Sequence, residues 1–192
     1  MSIQKFPAAG LRTERLILRC ARREDAPDLL AFYLENRSHL QPWDPLRADD
    51  FYTVAALEHR LAGMEQQMST DSALHLLIQH PAGDTVLGEC NFTNIVRGPF
   101  QACHLGFSIA AKMQGRGLMY EALSRAIEFV FDSYELHRVM ANYRPENVRS
   151  GRLLERLRFE IEGRARAYLK INGEWADHVL TSRINDEARK AI

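Results

Sequence analysis

Cysteine is scarce in this chain. Cys20, Cys90 and Cys103 are scattered over 192 residues, which offers neither an even-numbered disulfide framework nor a metal-ligand spacing and points to a reducing compartment. Long apolar runs are missing as well: nothing approaches the ~18 residues of a membrane span, and no signal-peptide core is present. Excess charge is equally absent, since 25 Lys and Arg balance 25 Asp and Glu, so no global field recruits nucleic acid or a membrane surface. The basic clusters Arg144 to Arg158 and Arg164 to Lys170 both have acidic residues nearby. No repeat or linker-like composition interrupts the chain. These absences lead to the expectation of one cytoplasmic domain over residues 1–192, with no metal, no membrane and no direct nucleic-acid partner. Two phosphate-binding signatures are excluded too. No G-x-x-x-x-G-K-[ST] occurs, and Tyr120 stands where a G-x-G-x-x-G needs its third glycine.

What the chain does have is the stretch Gln114-Gly115-Arg116-Gly117-Leu118-Met119, set between two contrasting patterns. Ahead of it, Leu105, Phe107 and Ile109 alternate with Gly106 and Ser108 as in a strand. Behind it, Met119, Ala122, Leu123, Ala126 and Val130 share one helical face, with Glu121, Arg125, Glu128 and Asp132 opposite. Glycines at a strand-to-helix junction let main-chain N–H groups approach an anion with the helix dipole behind them. A Gly-x-Gly here is also a common tight connection, so the loop alone says only that an anion is accommodated.

The rest of the chain supplies the setting. Leu16 to Cys20 alternates as a strand, and Glu24 to Glu35 and Phe51 to Met68 carry helical stripes. Between these helices, Asn36 to Pro45 breaks the pattern with two prolines around Trp43, either a substrate wall or a buried anchor. Leu74 to His80, Thr85 to Phe92 and Ala102 to Ile109 form an antiparallel meander, with turns at Pro81 to Asp84 and Val96 to Phe100. Arg138 to Tyr143 follows the central helix as a strand, which implies a right-handed parallel crossover. Pro145 to Arg158 is a helix that Asn147 is placed to cap, and Phe159 to Ile171 and Trp175 to Ile184 form a hairpin at Asn172-Gly173. The expected fold is a mixed, mostly antiparallel α/β sheet of about seven strands with a central parallel pair, and about four helices. If the parallel pair splays, an extended amide-rich ligand can bond to both main chains. With the anion loop, that describes coenzyme A.

The loop resembles the Gln/Arg-x-x-Gly-x-Gly/Ala signature of the GNAT acetyltransferases, with Met119 in place of the final small residue. More narrowly, Leu11 to Arg19, Glu35-Asn36-Arg37 with Leu40 and Trp43, Gln114 to Ala122, Asn147 to Ser150 and Asn172 to His178 resemble the RimJ/RimL group of ribosomal-protein N-terminal acetyltransferases. Asn91 to Gly98 and His137 to Tyr143 are similar to its RimJ branch. The resemblance implies acetyl-CoA as acyl donor and the N-terminus of a ribosomal protein as acceptor. It implies that Phe107, Ser108 and Ile109 offer backbone to pantetheine, and that Gln114, Gly115, Arg116, Gly117, Leu118 and Met119 cradle the pyrophosphate. Asn147 would reach the pantetheine arm and Ser150 the sulfur. Arg158 departs from a glycine usual at that point, which leads to the expectation that the helix ends other than in a left-handed residue.

An α-amino group with a pKa near 7.7–8.0 is roughly a tenth to a sixth neutral at pH 7, so such a substrate asks little of a base. Glu89 is the candidate base, as a carboxylate in an otherwise apolar strand; an outward, solvated charge is its other reading. His104 ranks next, and Asp177 and Tyr143 below it. Leu169 stands roughly where the resemblance to RimL-type enzymes implies a glutamate, so that base is not carried over. Ser150 is the candidate general acid, and Cys90 and Cys103 read as packing residues. Two other functions stay open: acetylation of a small amine, and a non-catalytic acyl-CoA-sensing or ribosome-binding module. Monomer and homodimer are both compatible with the sequence.

Overall fold

The computed structural model describes residues 6–83 and 85–185. Asp84 in the first meander turn and the tail from Asp186 lie outside them. Among the described residues, eight strands form one sheet: β1 (Leu11–Arg12), β2 (Ile17–Cys20), β3 (Leu74–Gln79), β4 (Val86–Val96), β5 (Ala102–Ile109), β6 (Arg138–Met140), β7 (Glu160–Ile171) and β8 (Glu174–Ile184). Their order across the sheet is β1-β2-β3-β4-β5-β6-β8-β7. Every neighbouring pair is antiparallel except β5 and β6. The helices are α1 (Ala26–Glu35), α2 (Arg37–Leu40), α3 (Val54–Ser69), α4 (Leu118–Ser133) and α5 (Val148–Arg156). The mixed sheet with its central parallel pair is the fold expected. The extra strand is the two-residue β1, too short to show a period, and the extra helix is the single turn α2 in the proline-broken segment. No described helix is long and apolar enough to cross a membrane.

Helices cover both faces of the central strands, and that explains why β4 is buried along both sides of its first half instead of alternating. On one face, Ala122, Leu123, Ala126, Ile127 and Val130 of α4 pack against Leu76, Cys90, Phe92, Cys103 and Val139. Cys90 and Cys103 are packing residues there, and burial pushes both thiols up, Cys103 to about 12. On the other face, Leu29, Phe32 and Tyr33 of α1 and Leu57, Leu61 and Met64 of α3 pack over Leu77 and Val86. Thus α1 and α3 cover the β2–β4 half of this face.

Two turns show how local chemistry sets the chain path. Asn172 and Gly173 take φ of 46° and 87°, the left-handed pair that a two-residue hairpin requires. Arg158, against expectation, does end α5 in the left-handed region, at φ 63°. Two hydrogen bonds hold it there: Arg158 N–H donates to Glu155 O at 2.9 Å and Phe159 N–H to Leu154 O at 2.9 Å. This is a complete Schellman motif, with Phe159 and Leu154 meeting in the core. Tertiary packing of Phe159 outweighs the ~1 kcal/mol conformational cost at Arg158. Because the Arg158 side chain is exposed, Arg158→Gly should raise unfolding free energy by about 0.5–1 kcal/mol in chemical denaturation. A loss of stability would contradict this account of the helix end.

Candidate active site

β5 and β6 pair only at Ala102–Arg138, Cys103–Val139 and His104–Met140. Beyond that point they part. β5 continues beside β4 to Ile109, while the chain after β6 turns toward β8: Ala141 N–H donates to Thr181 O at 3.0 Å, and Tyr143 bridges Val179. Among the described residues, the edge of β5 from Leu105 to Ile109 therefore lacks a strand partner on the β6 side. Phe107, Ser108 and Ile109 lie on this free edge. The segments after the two strands lead into the N-termini of α4 and α5, the positive ends of the two helix dipoles.

The glycine loop joins β5 to α4. Gly115 has φ 72° and Gly117, the residue before α4, has φ 76°. A Cβ at Gly115 would meet nothing within 4 Å, and at Gly117 only the Arg15 guanidinium at 3.6 Å. Glycine is therefore needed for backbone conformation, which turns successive N–H groups outward. Among the described residues, no acceptor meets the N–H groups of residues 115–120. Met119 points elsewhere: it is buried in the core beneath the loop, so its size does not crowd an anion.

Side chains from distant segments brace this loop. Glu121, in the first turn of α4, accepts from Thr13 Oγ1 at 2.6 Å, Arg15 N–H at 2.8 Å and Arg15 Nε at 2.7 Å. Burial works upward on the Glu121 carboxyl, but these donors outweigh it and hold it below its ordinary value. Arg15 thus balances the one acidic charge in the first turn, and its Nη1 donates to Arg116 O at 3.0 Å. The Gln114 amide spans His39 Nε2 at 3.0 Å and the guanidinium of Arg149. Buried Asn36 accepts from Ala111 N–H at 2.8 Å, tying the α1–α2 junction to the approach of the loop.

At α5, Asn147 caps the helix: its Oδ1 accepts from Ser150 N–H at 3.1 Å. The half-buried Ser150 hydroxyl has no hydrogen-bond partner among the described residues. Gly151 lets the first turn rest on Tyr143, because a Cβ there would lie 2.8 Å from the Tyr143 ring. Sequence reasoning placed Asn147 and Ser150 together, and the fold sets them at the mouth of the parted strands.

The sheet face under α1 and α3 carries the polar groups. Register places Glu89 opposite Ser108 and Thr93 opposite His104. Glu89 is 8% exposed, so it is not the solvated charge that was its other reading. Its Oε1 accepts from Tyr33 Oη at 2.6 Å, and Arg60 lies 3.7 Å from Oε2. Arg60 Nη1 also donates to Tyr33 Oη at 2.5 Å. Ser108 Oγ and His104 Nδ1 are buried and unpartnered among the described residues, and burial lowers the His104 pKa, keeping the ring neutral at pH 7. Asp177 is occupied elsewhere, accepting from Ala167 N–H at 3.0 Å and Arg164 at 3.1 Å across the β7 bulge. Trp43 is half-buried. Its loop is tied to the β7–β8 hairpin through Asn172 N–H to Asp44 O at 2.9 Å, and to the segment after β6 through Arg144 Nη1 to Pro42 O at 2.9 Å.

Tyr33, Arg60, Asn36 and the Arg15–Glu121 pair were missed as site residues. For Arg60 a signal existed: it sits three residues after Leu57 and four before Met64, on the inward face of α3. A charge on such a face needs a buried partner.

The Acetyltransferase (GNAT) domain family matches residues 15–160. The [Ribosomal protein uS5]-alanine N-acetyltransferase of Escherichia coli is 44% identical over 176 residues, covering 92% of this chain and 91% of that one. Among solved structures, the ribosomal-protein-S5-alanine acetyltransferase from Vibrio fischeri superposes with a TM-score of 0.87 at 36% identity, covering 92% of this chain and 96% of that one. Mycobacterium smegmatis RimJ in complex with CoA-disulfide gives 0.85 at 26% identity, covering 90% and 83%. With its parted parallel strands, its glycine loop and this likeness over most of its length, the chain belongs to the GNAT acetyltransferase family.

Proposed function

We propose that this chain is one GNAT domain from residue 1 to 192 that transfers the acetyl group of acetyl-CoA to the N-terminal amine of a ribosomal protein in the cytoplasm. The observation that carries the donor is the row of unbonded N–H groups at residues 115–120 beside the free edge of β5. A pyrophosphate fits the first, and the amides of pantetheine fit the second through Phe107, Ser108 and Ile109. Gln114, Gly115, Arg116, Gly117, Leu118 and Met119 form the pyrophosphate cradle, and Asn147 lies along the pantetheine arm. The acceptor reading rests on the relatives named above and on the acceptor side of the site. The cavity of about 70 Å³ beside Asp44 is lined by Arg37 and Arg47 as well as Tyr33 and Phe51. That mixed lining suits a peptide end better than the acidic enclosure a polyamine requires.

In the proposed reaction the neutral amine nitrogen forms a C–N bond to the thioester carbon and the C–S bond breaks. The nitrogen's surplus proton passes to Glu89 through water, and the departing thiolate takes a proton from Ser150, which bulk water restores. The donor is already activated, so no cysteine nucleophile is needed. One observation favours a second reading in which His104 takes the proton: its imidazole is neutral, and its buried Nδ1 lacks a partner.

Gly117→Ala should weaken binding of coenzyme A about tenfold by calorimetry, since a left-handed alanine costs roughly 1–2 kcal/mol; unchanged affinity would remove the loop from the donor site. Ser150→Ala should lower turnover about a hundredfold with coenzyme affinity preserved, and wild-type turnover would eliminate Ser150 as the acid. Incubation with acetyl-CoA and peptides beginning Ala, Ser, Thr or Met, read by mass spectrometry, should place the acetyl group on the α-amine. Modification of internal lysines alone would overturn the N-terminal reading.

A further inference from the structure

α5 carries more positive charge than capping by Asn147 explains. Within Val148–Arg156, Arg149, Arg152 and Arg156 stand at i, i+3 and i+7, so they share one face of the helix. All three are exposed, while Leu154 of the same helix is buried in the core. Two contacts show where the arginine face looks. The Arg149 guanidinium meets the Gln114 side chain at the entry to the glycine loop. The Arg156 guanidinium lies 4.6 Å from the centroid of the Tyr120 ring, in the first turn of α4. The stripe therefore runs alongside the loop from its first residue to the start of its helix. Arg116, within the loop, adds a fourth exposed cation.

These cations lack what exposed cations elsewhere on the surface have. Arg23, Arg37, Lys112, Arg138 and Arg164 each meet a carboxylate. Among the described residues, no carboxylate forms an ion pair with Arg116, Arg149, Arg152 or Arg156. Glu121, the acid in the first turn of α4, is taken by Arg15 at 2.6 Å. Glu155, the one acid on α5, makes no ion pair with the stripe. Like charges at i, i+3 and i, i+4 repel, so the stripe is unfavourable until an anion neutralises it.

The pyrophosphate does not need these side chains, because the N–H groups of residues 115–120 and the α4 dipole already receive it. Coenzyme A carries a further phosphate, a 3′-monoester on the ribose that is joined to the pyrophosphate. Covalent structure places it one sugar away from the cradle, which is where the stripe begins. Resting on the reading of acetyl-CoA as the donor, we propose that Arg149, Arg152 and Arg156, with Arg116, hold this 3′-phosphate through their side chains and make the site selective for a 3′-phosphorylated donor. A phosphate monoester brings a charge of about −1.5 to −2 at pH 7, and guanidinium forks match its oxygens. The other polyanion of the right chemistry is RNA. A stripe confined to one helix beside the cradle, on a chain of zero formal net charge, favours the coenzyme.

The test is calorimetric titration of the full chain with coenzyme A and with 3′-dephospho-coenzyme A. The wild-type protein should bind coenzyme A about tenfold more tightly, and rising salt should shrink that preference. Combining Arg152→Gln with Arg156→Gln should bring the ratio of the two affinities close to one, by weakening coenzyme A and leaving the dephospho form nearly unchanged. Gly117→Ala should weaken both ligands by the same factor, since it acts on the pyrophosphate they share. Equal affinities in the wild-type protein would overturn the proposal without any variant being made. A preference that survives the double substitution would overturn it too, as would an equal loss for both ligands. If the double variant keeps the preference and loses affinity for a single-stranded RNA oligonucleotide, the stripe belongs to nucleic acid and the proposal falls. Binding of neither ligand to the wild-type protein would remove the donor reading itself, whereas tight and equal binding of both removes only the 3′-phosphate site.

Discussion

Everything at the site depends on the parting of β5 and β6 after three paired residues. Buried backbone groups demand partners, and a parallel pair that stops short leaves a strand edge whose N–H and C=O groups have none within the sheet. That edge tolerates exposure because a ligand of similar chemistry can complete it. The connections after both strands lead to helix N-termini, so the unbonded donors that open α4 and the Asn147-capped first turn of α5 lie at the same end of the sheet. An extended, amide-rich, anionic donor meets the strand edge and the α4 donors at once.

The bracing around this opening explains several motifs that have no direct part in chemistry. Thr13 and Arg15 meet Glu121 across 106 residues or more and leave α4's N-terminus receptive to anions. Asn36 joins α1 to the approach of the glycine loop, and Gln114 links the loop to α2 and α5. These contacts brace the glycine loop and the first turn of α4 from three sides. The Trp43 loop and the β7–β8 hairpin are joined separately from these contacts, through Asp44 and Asn172.

What the sequence disclosed and what it hid divide along a physical line. Gly115, Gly117, Asn147 and Asn172-Gly173 were legible because each acts within a few residues, through a φ preference or a cap. The alternation around Leu105 to Ile109 was legible because period-2 patterning survives burial of one face. The Glu89–Tyr33–Arg60 cluster was not, since its members are 56 and 27 residues apart and come from one strand and two different helices. Arg158 shows the reverse failure. A local propensity predicted a different helix end, and the burial of Phe159 overrode it.

The central claim is that the free β5 edge and the N–H groups at the start of α4 together bind one extended acyl donor. Amide hydrogen exchange measured with and without coenzyme A tests it most directly. The account predicts new protection concentrated in residues 105–109 and 115–120, with little change in β7 and β8. Protection appearing elsewhere, or at only one of the two segments, would contradict it.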